Sequence, residues 1–438
     1  MFQTFKTAWK IPELKKKILF TLIIIILYRL GSNIPVPFVN GEAINAWFSA
    51  TSGSSILSYF NILSGSALSY GTLFALSVSP YITASIVLQL LCVAIPKLER
   101  LSKEENGRQK INAMTRALTV VLAIVTAFGY AMMLKNNSTD TNKLLVDGTA
   151  TGAWQIIIMM ACYCAGAAII MWMAEKINEK GIGNGISIIL FAGIVSRGPA
   201  LISGLWAMVT SNSYPLAVGI ILGVVSVLIT LGMVILVVWV TNSERRIPIQ
   251  YAKRTVGRKM YGGQTSHLPL KLNMAGVMPI IFANSLVAIP ATISSFLSTD
   301  NWFYKFVDTW FDTDTWIYIV VDIALIIAFS YFYILISFNP TEVANNIKDN
   351  GGAIPGIRPG KPTSDYITKV LNRITLIGAI FLAIVAGLPL IINAVSGGQF
   401  SGIAFGGSSL LIVVGVALET ARELESQITM RNYKGFLD

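Results

Sequence analysis

Ten long apolar stretches run through this chain, and no other feature narrows its fold as much. They fall at 18–34, 74–93, 113–134, 154–174, 183–202, 215–240, 274–297, 316–338, 374–392 and 405–421. A hydrocarbon core about 30 Å thick is crossed by roughly 20 helical residues. In lipid every backbone N–H and C=O must be satisfied within the segment, so helix is expected even where Ile, Val and Phe favour strand on propensity. Charged residues make up 13% of the chain, against about a quarter in soluble domains. That is too little to cover a water-facing surface. The fold class expected is an all-α polytopic membrane protein.

A net charge of +11 would fit a nucleic-acid binder, but the basic residues sit in short loops between apolar runs. That arrangement sets topology. With the N-terminus in the cytosol and the spans alternating, only Lys135, Lys143, Arg197 and Lys305 of the 33 Lys and Arg lie outside, and Arg29 lies within the first span; the other 28 fall on the cytosolic side. Both termini are therefore expected in the cytosol. The loop at 298–315, with four Asp and one Lys, agrees. The basic-then-apolar start imitates a signal peptide, but its apolar run is too long. Ser32-Asn33-Ile34-Pro35 offers no small-x-small cleavage site, so the first span is read as retained.

Five spans plus five make two halves of opposite orientation, as in inverted-repeat transporters. The expected organisation is a tail at 1–17, a first half at 18–202, an external hinge at 203–214, a second half at 215–421 and a tail at 422–438. The segment 54–71 is uncharged, half apolar and too short to cross. It reads either as a surface helix or as a half-helix folded in from outside. Irregular backbone at membrane depth needs protein or a water-filled cavity around it, so the second reading implies a cavity. The loop at 241–272 carries seven Lys or Arg against one acid, Glu244. It is longer than topology requires, and with the loop at 339–373 it reads as a dock for a large anionic partner. Arg and Lys on phosphates give sequence-independent, salt-sensitive affinity.

Catalytic chemistry finds little support. HExxH is absent, and the single histidine, His267, stands beside a proline in a loop. Asp322 is the one acid well inside a span, and a lone carboxylate there fits a proton-coupled transporter better than a protease. The run 356–363 (GIRPGKPT) has three residues between its glycines where a phosphate loop has four, and Pro362 stands where Ser or Thr would hold magnesium. Cys92, Cys162 and Cys164 lie in apolar spans without zinc-like spacing. No cofactor or metal is expected, and energy for any work must come from a partner or a gradient. Gly219 and Gly223 form a GxxxG pair that fits close helix packing.

Several motifs then line up in order. They are Tyr28-Arg29-Leu30-Gly31 with Ile34-Pro35-Val36-Pro37, the run 72–91 (TLFALSVSPYITASIVLQLL), the run 181–187 (GIGNGIS) and the run 244–254 (ERRIPIQYAKR). His267-Leu268-Pro269-Leu270-Lys271, Ile354-Pro355-Gly356-Ile357-Arg358-Pro359-Gly360 and the run 405–412 (FGGSSLLI) complete the series. Together they resemble the SecY family, the protein-conducting channel of the bacterial Sec pathway and its eukaryotic counterpart. Two departures stand out. Ser77 occupies a position usually Gly, and Phe38 follows Ile-Pro-Val-Pro where Gly is frequent.

The resemblance implies ten helices in two inverted halves around a central hourglass pore, in the bacterial plasma membrane. It implies SecE and SecG as small membrane partners, with the SecA ATPase and the ribosome docking from the cytosol. The substrates would be translocating polypeptides with their signal sequences, and membrane spans released sideways to lipid. A ring of aliphatic side chains denies ions a ligand and dewets when closed. By the match that ring draws on Val78, Ile82, Ile186, Leu190, Ile281 and Ile412. The plug would comprise Tyr59, Phe60, Asn61, Leu63, Gly65 and Leu68. A lateral gate between spans two and three on one side and seven and eight on the other would use Thr83, Gln89, Asn284 and Ser285 of spans two and seven, whose interhelical hydrogen bonds would act as a weak latch. Pro279 and Pro290 would let span seven bend. Docking falls to Arg245, Arg246, Lys253, Arg254 and Arg358, with rRNA or SecA as partner. The competing reading is a secondary transporter of a small solute built on the same inverted-repeat logic.

Overall fold

A computed structural model describes residues 2–51, 56–104, 106–138, 144–146, 152–200, 202–203, 216–251, 254–256, 259–261, 265–294, 301–310, 315–395 and 406–434. Each expected span overlaps a helix. In chain order the helices are α1 (Phe2–Lys10), α2 (Pro12–Gly31), α3 (Gly41–Thr51), α4 (Ile56–Leu63), α5 (Ser79–Ala94), α6 (Pro96–Lys103), α7 (Gly107–Asn137), α8 (Ala153–Lys180) and α9 (Gly185–Val195). They continue with α10 (Leu216–Asn242), α11 (Met278–Ser294), α12 (Trp302–Trp310), α13 (Trp316–Ser337), α14 (Pro340–Asp349), α15 (Lys361–Val395) and α16 (Gly406–Lys434).

Among the described residues five helices are long and apolar enough to cross a membrane, six if α5 and α6 count as one broken span. The shortfall from ten has local causes. Helix α2 carries Lys15, Lys16, Lys17 and Arg29. Helices α9 and α11 have 11 and 17 residues. Helices α5 and α6 meet at 108°. Ile95, at that corner, is extended (φ −110°, ψ 111°), as expected of a residue whose following proline crowds the helical region. The expected hinge at 203–214 lies outside the described residues except for Ser203.

The second span does not begin where its apolar run begins. Residues 64–78 form a series of turns, and α5 starts at Ser79 with Pro80 in its first turn, where a missing N–H costs nothing. Pro35 and Thr72 form a bridge, and Leu73 N–H donates to the Ile34 carbonyl at 2.9 Å. The chain therefore leaves and rejoins one place, and 36–71 is an excursion. Phe38 (φ 68°) and Ser77 (φ 50°), the two departures from the family motifs, both adopt the left-handed region, as does Ser66 (φ 72°). The backbone keeps a shape that suits glycine while the sequence supplies a side chain.

The long basic loop contains strands, which its charge had masked. β1 (Glu244–Tyr251) pairs antiparallel with β4 (Thr265–Lys271), and the short β2 (Arg254–Val256) and β3 (Lys259–Tyr261) pair with each other. β5 (Gly352–Ala353), from the second basic loop, adds to the other edge of β1 through Gln250↔Ala353 and Tyr251↔Gly352. Under this sheet lies a core of its own: Ile247, Ile249, Leu270, Ile347, Ile354, Ile367 and Ile374. The two basic loops are thus one small folded unit.

The first two helices and the end of α16 meet on one face. Ala8 and Leu14 pack with Ile182, Leu424 and Ile428, Lys17 Nζ donates to Gln427 Oε1 at 3.2 Å, and Arg422 donates to the Thr241 carbonyl at 2.9 Å, where β1 begins.

Candidate functional site

The largest core cluster sits where α5, α9, α11 and α16 converge. Val78, Ile82, Leu190, Ile281 and Ile412 are all buried members of it, and Ile186 packs against it partly exposed. These residues come from sequence positions spread over more than 300 residues. Each is offered by the first two turns of a helix, or by the residue just before it: Val78 caps α5, Ile186 begins α9, Ile281 begins α11 and Ile412 lies early in α16. The helix starts are fixed by local chemistry. Asn184 caps α9, its side chain accepting from Ile186 and Ser187 N–H at 3.1 and 3.5 Å, and Gly276 turns into α11 at φ 62°. All six of these side chains are aliphatic.

The excursion reaches this cluster. Leu63, the last residue of α4, is 4% exposed and belongs to it, with Ile62 packed against it. The end of α4 is thus seated in the interior of the bundle. Its turn is organised by Asn61, whose carbonyl accepts from Ser66 N–H at 2.9 Å and whose side chain accepts from Ser69 N–H at 3.0 Å. Phe60 packs on residues of both halves, against Val36 and Leu134 neighbours on one side and the Val287, Tyr318, Ile319 and Leu390 cluster on the other. Leu68 is buried, and its carbonyl takes the Tyr130 hydroxyl at 2.6 Å. Gly65 is left-handed at φ 66°. The Tyr59 side chain lies outside the described residues.

Helices α5 and α11 pack directly on one another, as do α7 and α11. Asn284 is buried in α11 and Ser285 half-buried. The hydrogen bonds of Thr83 and Gln89, however, stay within α5: Thr83 Oγ1 donates to Ser79 O at 3.1 Å and Gln89 Nε2 to Ser85 Oγ at 3.3 Å. Among the described residues, neither of these side chains bonds to another helix.

On the basic face, Arg245 and Arg246 are exposed on β1, and Glu244 pairs with Arg246 at 2.7 Å. Arg358 is exposed in a loop framed by Gly351, Gly356 and Gly360, all at positive φ. Its carbonyl, not its side chain, is tied down, by Thr363 Oγ1 at 2.9 Å. Lys253 and the Arg254 side chain lie outside the described residues. Asp322 is 2% exposed, and its Oδ1 has no hydrogen-bond partner among the described residues. No cluster of potential metal ligands occurs among the described residues. Sequence reasoning overlooked one contact, between Arg29 and the end of α9; a basic residue inside the first span was its only signal.

A bundle of membrane helices with an aliphatic centre, an inward excursion and a folded basic face is the architecture of a translocation channel. The solved structures it matches include a protein-conducting channel (TM-score 0.65, 18% identical, covering 94% of this chain and 92% of that one). Another is Sec61 in a canine ribosome–channel complex (TM-score 0.61, 16% identical, 94% and 92% covered). The SecY family model matches residues 72–421. The protein translocase subunit SecY of Streptomyces coelicolor is 44% identical over 445 aligned residues, and that of Mycobacterium bovis 42% over 453, each alignment covering the whole of both chains. This chain belongs to the SecY family.

Proposed function

We propose that the chain is the pore subunit of a protein translocase, a channel and not an enzyme, which passes unfolded secretory proteins and releases membrane spans sideways into lipid. The observation that carries this reading is the largest buried hydrophobic cluster, to which α5, α9, α11 and α16 all contribute aliphatic side chains, with the end of α4 seated in it. Val78, Ile82, Ile186, Leu190, Ile281 and Ile412 form the constriction: they seal by offering ions no ligand, and they deform around a passing chain. Phe60 to Leu68 serve as the plug. The α5–α11 contact is the lateral gate, held by apolar packing, with Asn284 and Ser285 at the seam.

The two halves, 18–202 and 215–421, part around a hinge at 203–214. The bacterial relatives support a plasma membrane as the chain's site, and the skew of Lys and Arg turns the basic face to the cytosol. There Arg245, Arg246, Lys253, Arg254 and Arg358 receive rRNA or SecA. The ribosome-bound channel among its structural relatives supports a translocon partnership; small subunits of the SecE and SecG kind would cover part of the apolar flanks. The solute-transporter reading needs ligands for solute and ion near the membrane centre, and the six side chains proposed to line it are aliphatic.

The test is a stalled nascent chain carrying a photo-cross-linker, offered to the complete translocase. Adducts should concentrate on the six ring positions. Adducts spread over lipid-facing residues such as Leu228 and Ile235 would contradict the assignment.

A further inference from the structure

Arg29 stands alone. It is the only basic residue inside the first span, and it lies at the end of α2 away from the face that collects almost all other Lys and Arg. A charge so placed works against topology and is costly in a span unless it has a partner. Among the described residues its hydrogen-bond partners are backbone carbonyls: Nη2 donates to Ala192 O at 2.7 Å and to Gly193 O at 3.2 Å. Both belong to the last turn of α9, where the helix dipole is negative; Ala192 O also accepts the Ser196 N–H at 3.3 Å and Gly193 O the Ser196 hydroxyl at 2.6 Å, so the guanidinium takes a second lone pair on each. The guanidinium also lies 5.6 Å from the Tyr28 ring.

The α4 turn closes over this contact. A Cβ added to Gly65 would stand 2.8 Å from Arg29 Nη2, 2.9 Å from Nη1 and 2.8 Å from the Gly193 carbonyl. A Cβ on Gly193 would stand 2.5 Å from the Leu63 carbonyl. The Tyr28 hydroxyl reaches the Ser64 carbonyl at 3.5 Å. Three segments remote in sequence therefore meet at one guanidinium with no room for a side chain on either glycine. Beyond it opens a cavity of about 740 Å³, lined by Arg29 and Gly65 together with polar Ser32, Asn33, Glu42 and Ser66. Water there can solvate the charge more fully once the turn has left.

We infer that Arg29 is the positioning residue that seats the Leu63–Ser66 turn against α9 and so holds the channel closed. The inference rests on the reading of that turn as a plug. With the turn in place, the guanidinium bridges α2 to α9 and forms the floor on which Gly65 rests. The guanidinium already borders the cavity; departure of the turn uncovers it further and removes the packing that fixes it.

The experiment compares resting ion conductance in planar bilayers of the complete translocase carrying the native chain, Arg29→Gln, Arg29→Lys, a deletion of residues 60–69, and Arg29→Gln combined with that deletion. Arg29→Gln should raise closed-state conductance about tenfold, since hydrogen bonds from a charged donor are lost and 1.4 kcal/mol is a factor of ten. Arg29→Lys keeps the charge and loses the fork, and should fall between native and Gln; it also guards against a Gln variant that fails to assemble. In the deletion background Arg29→Gln should add nothing. If the deletion leaks and neither Arg29 variant does, the positioning role is wrong and the plug reading stands. An additive leak in the combined variant would mean that Arg29 acts on the pore walls, which also overturns the inference. If the deletion itself leaves conductance at the native level, the plug reading falls, and this inference with it.

Discussion

Ile249→Ala should separate the two basic loops without dismantling the membrane bundle. Ile249 is 4% exposed in β1 and belongs to a core of seven buried residues that joins the sheet to α14 and the start of α15. It is also a contact between the loops, because Gly352 of β5 lies so near that an added Cβ would stand 3.1 Å from Ile249 Cγ2. Truncating a buried Ile to Ala costs about 2–5 kcal/mol. Even the lower figure shifts a local opening equilibrium roughly 30-fold, and β5 is held to β1 by only two residue pairs. Cysteines at Gln250 and Ala353, paired across the strands, would be within disulfide reach, since antiparallel partners stand about 4.5–5.5 Å apart. The assay is the yield of that cross-link under mild oxidation, read beside secretion of a reporter. The native sheet should cross-link fast. Ile249→Ala should cut the rate by an order of magnitude or more and slow secretion, with membrane insertion of the protein intact. A variant that cross-links and secretes at native rates would refute the idea that the loops work as one unit.

Ser77→Gly should stabilise the detergent-solubilised protein by about 1 kcal/mol, because a non-glycine side chain at positive φ costs roughly that much; a thermal melt checks it, with Ser77→Ala as the control that should show no gain, and an unchanged or lowered midpoint for Gly would contradict the strain. Arg358→Glu should slow SecA-driven secretion more than it weakens assembly with the small membrane subunits, since the side chain is exposed and the loop is held through its carbonyl; native secretion rates would remove the docking role. The residual docking of that variant should also lose less affinity with added salt than the native chain does, because fewer counterions are released, and identical salt slopes would argue against an anionic partner at this loop.

The spans were legible because lipid leaves the backbone one choice, so length and apolarity decide. The ends of the helices were less so. Pro96 and the residue before it announce the bend at Ile95, but the turns at 64–78 lie within an apolar run that reads as membrane span by composition. The strands of the basic loop carry an alternation, Ile247 and Ile249 inward with Pro248 and Gln250 outward, yet seven charges dominate the segment and the third strand comes from about a hundred residues further on. The aliphatic ring could be named only through family resemblance, because an Ile in a span looks the same whether it faces lipid, core or pore. Ser77 and Phe38 were visible as departures, and their backbone angles agree with a position made for glycine. Arg29 was visible as an oddity, but its carbonyl partners are 163 and 164 residues away, and no local pattern points to them. Thr83 and Gln89 looked like glue between helices and proved to bond within their own, as hydroxyl and amide groups one turn from a partner can do.

The central claim is that apolar bulk at six positions closes the channel, and polar substitution of that ring tests it most directly. Replacing several of Val78, Ile82, Ile186, Leu190, Ile281 and Ile412 by Ser or Gly gives a constriction that no longer dewets, whereas Ile→Leu changes conserve volume and should be tolerated. Closed-state ion conductance and export of a reporter with a defective signal sequence are then measured on the same variants. The account predicts that both rise with polar substitution and that both stay near native with Ile→Leu. Multiple polar substitutions that leave the leak and the export of that reporter at native levels would show that the six residues are ordinary core and that the pore lies elsewhere.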